Sequence, residues 1–369
     1  MNDLAAHLRA CARRKPTAKT ERLIVRFKHK RDYRACRKHL AAKGVHPVKA
    51  YSALRMLCYH ADRQADKSRL RAHPRVVFVE RDRKAKAHGS VSIQSVRIPW
   101  NISRVQAPKT WIPANKGKGV KVGIVDTGIA RHPDLRIAGG VNTLGGKSFA
   151  DDNGHGTHVA GIAAAIGTKR IFGAAPSVKL YAVKVLDASG EGFVSDIVEG
   201  IEWCLSRGIQ VMNMSFGLSN NSQALRAAIR RARRKGAIMV ASAGNDGPSN
   251  LAIDYPARYP ETIAVAATER NNKIASFSSR GRGIDLAAPG VNIYSTWLGG
   301  KYAYESGTSM SSPHVTGGAA LLKAIRPCSA AGDIIRRLKA SAKPIETKRS
   351  AGNGLLQIAK AAKSYTGQR

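Results

Sequence analysis

The period of the hydrophobic positions changes near residue 90. Upstream, Glu21-Arg22-Leu23-Ile24-Val25-Arg26-Phe27-Lys28 alternates apolar and polar side chains, as a strand with one buried face must. Residues 32–43 carry a helical spacing, 47–59 read as one or two strands, and 62–72 as a second helix. Arg75-Val76-Val77-Phe78-Val79-Glu80 closes the set as a strand. This βαββαβ order predicts a small ferredoxin-like α+β domain over 21–82. Residues 1–20 precede it as a basic extension, and the charged, small-residue run within 83–99 reads as a linker. Downstream, strands with continuous apolar character alternate with helices. Gly119–Val125, Leu180–Leu186, Ile209–Met214 and Ala237–Ala241 are the strands. His155–Ile166, 194–207 and 222–235 are the helices between them, and Thr308–Ile325 is a later one. Such alternation predicts an α/β domain over 100–369: three layers, with a mostly parallel central sheet and helices on both faces.

Charge changes this picture at one end. The 369 residues hold 62 Lys and Arg against 24 Asp and Glu, a net charge of +38. Residues 1–88 alone hold 25 of the basic and 7 of the acidic residues, so the excess is densest there. Such a surface attracts polyanions non-specifically: nucleic acid, an acidic wall polymer or an acidic protein. No nucleic-acid motif and no basic strip interleaved with aromatics is present, so a basic surface without a dedicated partner is the simpler account. The five cysteines, Cys11, Cys36, Cys58, Cys204 and Cys328, are odd in number and scattered, which predicts neither a zinc site nor a disulfide framework. The first twenty residues contain no apolar core of a secretory signal, and no run of eighteen apolar residues predicts a membrane span.

Candidate chemistry lies in three short glycine-flanked segments. Val125-Asp126-Thr127-Gly128 ends a buried strand, where the ligands of parallel sheets gather. Asn153-Gly154-His155-Gly156-Thr157-His158 opens an apolar helix, and Gly307-Thr308-Ser309-Met310 opens another. Alone, Asp126 reads as a turn aspartate, His155 as a cap or core histidine and Ser309 as part of an N-cap. Together, Asp, His and Ser in this order are one arrangement in which a histidine accepts the proton of a serine nucleophile while a carboxylate orients it.

These segments, as Lys121–Asp134, Asn153–Gly161 and Ser306–Gly317, together with Tyr181-Ala182-Val183-Lys184-Val185-Leu186, resemble the subtilases, the subtilisin-like serine proteases, from about Trp100 to Gln357. The resemblance implies a subtilisin-like fold and a serine endopeptidase acting on proteins and peptides, with Asp126, His155 and Ser309 as its catalytic set. It also implies Asn245, in Ser242-Ala243-Gly244-Asn245-Asp246-Gly247, as the side-chain donor of an oxyanion hole. Ser215, Phe216 and Gly217 would pair with an extended substrate, Phe216 also walling the pocket before the scissile bond. Ser242, Ala243 and Gly244 would bind substrate as well, and Asp246 and Asp254 would border that pocket. An acid at Asp254 predicts a processing protease selective for basic residues, as an alternative to broad specificity. No cofactor is expected for the chemistry. Asp134 stands at a calcium-ligand-like position, but Gly167-Thr168-Lys169-Arg170-Ile171 appears one residue short and carries two cations where a hard cation needs clustered oxygens.

Residues 21–82 resemble the inhibitory propeptide of secreted subtilases, in pattern more than in long motifs. That implies a zymogen inhibited by its own propeptide, with autocatalytic cleavage near His88-Gly89. It further implies a monomer acting outside the cell or at its surface, although no signal is legible and an intracellular place is the alternative. An inactive polyanion-binding protein on a protease fold is the non-enzymatic alternative.

Overall fold

The computed structural model describes residues 2–87, 90–92, 98–249 and 252–366. The chain divides into two compact units. The first comprises Met1–Lys84 with Phe193–Glu199 and Ser222–Ala228, and the second the remainder.

The first unit is built on a four-stranded antiparallel sheet. Thr20–Phe27 lies between Met56–Asp62 and Val76–Arg81, and Lys49–Tyr51 pairs with the outer side of Met56–Asp62. Leu23, Val25 and Phe27 point to one face and join Leu57, Tyr59, Tyr33 and Leu40 in a core, as the alternation of the first strand requires. Two expectations are corrected. The region 1–20 is no mere extension: Asn2–Cys11 is a helix whose Leu4, Ala5 and Leu8 enter that core. The helix expected at 62–72 shrinks to Ser68–Ala72, because the preceding strand runs on to Asp62 and Asp66 turns the chain by accepting the Ser68 N–H at 2.8 Å. Two carboxylates end the unit's polar network. Asp82 accepts the Ser195 N–H at 2.8 Å and lies 2.8 Å from the Arg22 guanidinium. Glu80 accepts the N–H groups of Gln223 and Ala224 and the Ser222 hydroxyl at 2.7–2.9 Å. Each carboxylate thus satisfies orphan donors at a helix N-terminus and faces its positive end.

The second unit carries a seven-stranded sheet in the order Ile284–Pro289, Ile263–Thr268, Ile238–Ser242, Val211–Met214, Lys121–Asp126, Lys179–Lys184, Ile137–Asn142. Every neighbouring pair is parallel. Val122, Ile124, Val240 and Val265 share a core with the helices His155–Ala164 and Thr308–Ile325. On the opposite face Gly200 and Cys204, from the helix Val194–Ser206, pack against Val125, Val183 and Gly123. Alternate residues of one strand therefore meet helices on both sides, which explains why these strands read as unbroken apolar runs. The helix Thr308–Ile325 is buried from Thr308 to Leu322, and its small residues allow that depth. Among the described residues all five cysteines are free, four of them buried and Cys328 exposed. No described helix is long and apolar enough to cross a membrane.

Candidate active site

Asp126 is the last residue of the strand Lys121–Asp126 and is fully buried. Its Oδ1 accepts the Thr127 N–H at 2.7 Å and lies 2.7 Å from His155 Nδ1. A buried carboxylate at that distance fixes the imidazole's orientation and favours the tautomer with the proton on Nδ1. His155 is the first residue of the helix His155–Ala164. The turn before it depends on glycine: Gly154 has φ 108°, and a Cβ there would fall 2.4 Å from the Trp297 ring. A Cβ on Gly156 would fall 2.2 Å from the Gly128 carbonyl oxygen. The bare backbone on either side of His155 is therefore what lets the two loops close to hydrogen-bond range.

Asp151 clamps both loops, and sequence reasoning missed it. Its Oδ1 accepts the Thr127 hydroxyl at 2.8 Å and the N–H groups of Asn153 and Gly154 at 3.0 and 2.9 Å. Its Oδ2 accepts the Thr157 N–H at 2.9 Å and hydroxyl at 2.6 Å. One carboxylate thus ties the residue after Asp126 to those flanking His155. Lys184 was also missed. Its buried ammonium donates to the Thr127 carbonyl at 2.7 Å, the Leu186 carbonyl at 3.0 Å and Asp152 at 2.7 Å. Its sequence signals were a lysine inside an apolar strand and its place in the subtilase-like segment Tyr181–Leu186.

Ser309 is the second residue of the helix Thr308–Ile325 and donates its hydroxyl to the Ser215 carbonyl at 2.9 Å. Ser215 answers through its own hydroxyl, which lies 3.0 Å from the Ser309 carbonyl and 2.9 Å from Ser312 Oγ, and Asn213 donates to it at 2.7 Å. The strand end and the helix start are thereby locked together. Asn245 Oδ1 accepts the Thr308 N–H at 3.0 Å, which fixes which end of its amide is the carbonyl and leaves the NH₂ to donate elsewhere.

Ser242 ends the strand Ile238–Ser242, and Ala243 continues it by donating to the Val265 carbonyl at 3.0 Å. The Asp254 N–H donates to the Ala243 carbonyl at 2.8 Å, and a Cβ on Gly244 would fall 2.8 Å from Asp254 Oδ2. The structure therefore brings Ser242, Ala243, Gly244 and Asp254 together. Phe216 and Gly217 pair antiparallel with Ala87 and Lys86, so that Lys84–Ala87 is the middle strand of a three-stranded sheet whose other edge is Glu191–Phe193. Ser90 pairs with Ser306, three residues before Ser309. The expected cut at His88-Gly89 lies outside the described residues.

Other histidines serve the scaffold. Burial pushes the His158 pKa down to about 3 and that of His314 to about 4. Asp134 does not fit a hard cation. Its oxygens accept the N–H groups of Lys169, Arg170 and Ile171 at 2.6–3.0 Å and the Tyr302 hydroxyl at 2.7 Å. Burial works to raise its pKa, but these donors outweigh burial and hold it below the usual carboxylate range. Donors thus fill the positions where a calcium site would need further oxygens. No group of three or more His, Cys, Asp or Glu among the described residues is placed to hold a metal.

A profile of the subtilase family matches residues 117–356. The alkaline protease of Shouchella clausii is 44% identical over 293 residues, covering 79% of this chain and 75% of that protein. Subtilisin Savinase of Lederbergia lenta is 48% identical over 261 residues, covering 70% of this chain and 96% of that protein. Alkaline elastase YaB of Bacillus sp. (strain YaB) is 41% identical over 293 residues, 79% of this chain and 75% of that protein.

Proposed function

Because the chain belongs to the subtilase family of serine endopeptidases, we propose that it hydrolyses peptide bonds through Asp126, His155 and Ser309 and is made as a zymogen that cuts itself. Subtilases need no cofactor for this chemistry. The observation that carries the reading is the 2.7 Å contact between His155 Nδ1 and the buried Asp126. With Nδ1 holding its proton toward Asp126, Nε2 is the basic nitrogen that takes the Ser309 proton as Oγ attacks the carbonyl carbon. The proton then passes to the departing amine, and a water repeats the sequence to release the acyl group. The Asn245 NH₂ and the Ser309 N–H stabilise the oxyanion of each tetrahedral intermediate.

The zymogen reading rests on the pairing of Lys86 and Ala87 with Gly217 and Phe216. An extended substrate would use that same edge by strand addition, and residues 86–87 lie there as the product side of a cut near His88-Gly89 would. Residues 21–82, within the first unit, are then the inhibitory propeptide, and the enzyme works outside the cell as a monomer. The test compares the full chain with Ser309→Ala by intact mass and casein hydrolysis. Wild type loses the chain up to about residue 88 and digests casein, while the variant stays whole and inert. Equal processing of both proteins sinks the self-cleavage, and an active Ser309→Ala sinks the mechanism.

A second reading concerns specificity. Asp254 Oδ2 stands beside Gly244 at the wall assigned to the pocket, which favours Lys or Arg before the cut because a carboxylate there complements a cation. Cleavage of a peptide library decides it, and a preference for Leu, Phe or Tyr refutes it.

A further inference from the structure

A cavity opens at the end of the sheet opposite the candidate active site. Asp126 ends its strand, whereas this cavity of about 640 Å³ lies at the start of the same strand and of the next two strands toward the sheet edge, Lys179–Lys184 and Ile137–Asn142. Lys118 precedes Lys121–Asp126, Arg136 precedes Ile137–Asn142, and Lys179 opens Lys179–Lys184. The parallel register that aligns Lys121 with Lys179 and Ile137 with Leu180 gathers these cations from distant parts of the chain. Lys116 adds a fourth, and Asn115 and Thr168 add polar groups. Among the described residues no carboxylate lines the cavity, and Lys118, Arg136 and Lys179 form no ion pair.

A second observation marks the same wall. Asn115 and Lys116 occupy the left-handed region consecutively, with φ 44° and 53°, a conformation that costs non-glycine residues energy and that gathers at ligand clamps. The turn is held by the Ser177 N–H bond to the Lys116 carbonyl at 2.8 Å. The Lys116 ammonium leans over the Trp111 and Phe172 rings at 5.8 and 5.6 Å. Four cations brought together with no counter-charge repel one another, and an anion of matching charge relieves that repulsion. The volume is that of a small-molecule site.

We infer that this cavity binds a compact, multiply charged oxyanion of the oligophosphate or phosphate-ester class. Arg136 supplies a fork for two oxygens, and Lys118 and Lys179 supply point charges. The site is independent of the peptidase reading, since its residues take no part in that chemistry.

The test titrates tripolyphosphate into the full-length chain carrying Ser309→Ala, which prevents self-digestion, at constant ionic strength by calorimetry. Saturable binding to one site is expected. Arg136→Gln with Lys179→Gln weakens it by at least about tenfold, the loss expected for charge-assisted hydrogen bonds. Arg69→Gln with Arg71→Gln, which removes the same charge from an exposed helix of the first unit, leaves it unchanged. Lys118→Gln alone serves if the double variant fails to fold. ATP in place of tripolyphosphate separates the sources: equal affinity assigns recognition to the phosphates, and tighter binding assigns it to a nucleotide. Absence of saturable binding overturns the inference, as does equal weakening in both double variants. So does displacement by a DNA duplex whose affinity ignores the cavity substitutions, because each of these describes a diffuse charged surface.

Discussion

The two units bury their charges against different partners. In the first, charges lie inside: Asp82 is 4% exposed against Arg22, Asp196 is 3% exposed near Arg22 and Lys49, and Lys67 is 7% exposed beside Glu21. In the second, the helix Thr308–Ile325 is sunk to Leu322 among alanine, glycine, valine and leucine. Its buried ionisable groups, Asp126, Asp151, His155 and Lys184 about the candidate site and His132, Asp134, His158, Glu305 and His314 elsewhere, are held largely by backbone groups and hydroxyls rather than by Lys or Arg. Close-packed neutral side chains have essentially one arrangement, which suits a site that must hold its geometry. A buried charge is tolerable only while its partner stays, so the first unit depends on pairs that one substitution can strand.

That contrast can be broken from either side. The largest effect is expected for Asp126→Asn, which reverses the donor preference at His155 Nδ1. Casein hydrolysis should fall about 10⁴-fold, the scale known for this substitution in serine proteases rather than one calculated from this geometry, while both units stay folded. Next, Arg22→Met leaves Asp82 and Asp196 without their guanidinium. It should cost the first unit about 3–5 kcal/mol and leave the denaturation midpoint of the second in place. A shared loss in both units would erase the distinction between them.

Asp151→Asn comes third. An amide NH₂ would face N–H donors where a carboxylate oxygen now accepts them, so the loops of Asp126 and His155 shift apart. A fall of up to about 10² in kcat is expected, with a smaller change in KM. The acid limb of the kcat/KM profile should move, whereas a purely structural role lowers only Tm. Acidification gives the smallest effect. His158 and His314 have pKa values lowered by burial, so the unfolded chain takes up their protons first. The second unit therefore loses stability as pH falls below about 6.5, by roughly 1 kcal/mol between pH 7 and 6, and goes on losing it until the buried rings themselves protonate near 4 and 3. Burial raises the pKa values of Asp82, Glu80 and Asp196. The folded first unit takes up those protons before its unfolded chain does, so these groups favour it as pH falls. Burial also lowers the pKa values of His60 and His73 in the first unit, so thermal melts at pH 7 and 6 should lower both transitions, the second unit's more because its His158 and His314 are shifted furthest.

Much of this was legible because it is local. The strand ending at Asp126, the helix opening at His155 and the helix opening at Thr308 announce themselves through apolar runs and flanking glycines. What escaped depends on distant partners. Asp151 looks like any loop aspartate until Thr127 and Thr157 close on it, and the helix Asn2–Cys11 hides its apolar face within ten residues beside a basic run. The four cations of the cavity are spread from 116 to 179, and only the sheet register assembles them.

The strand Lys84–Ala87 has a consequence for concentration. Because residues 86 and 87 belong to the same chain as Phe216 and Gly217, a peptide that used the proposed edge would compete with a neighbour held at an effective concentration on the order of millimolar. Diluting the intact protein cannot lower that figure. Once the chain is severed beyond Ala87 the neighbour becomes an ordinary solute, and the openness of the edge then follows the volume into which the protein has spread.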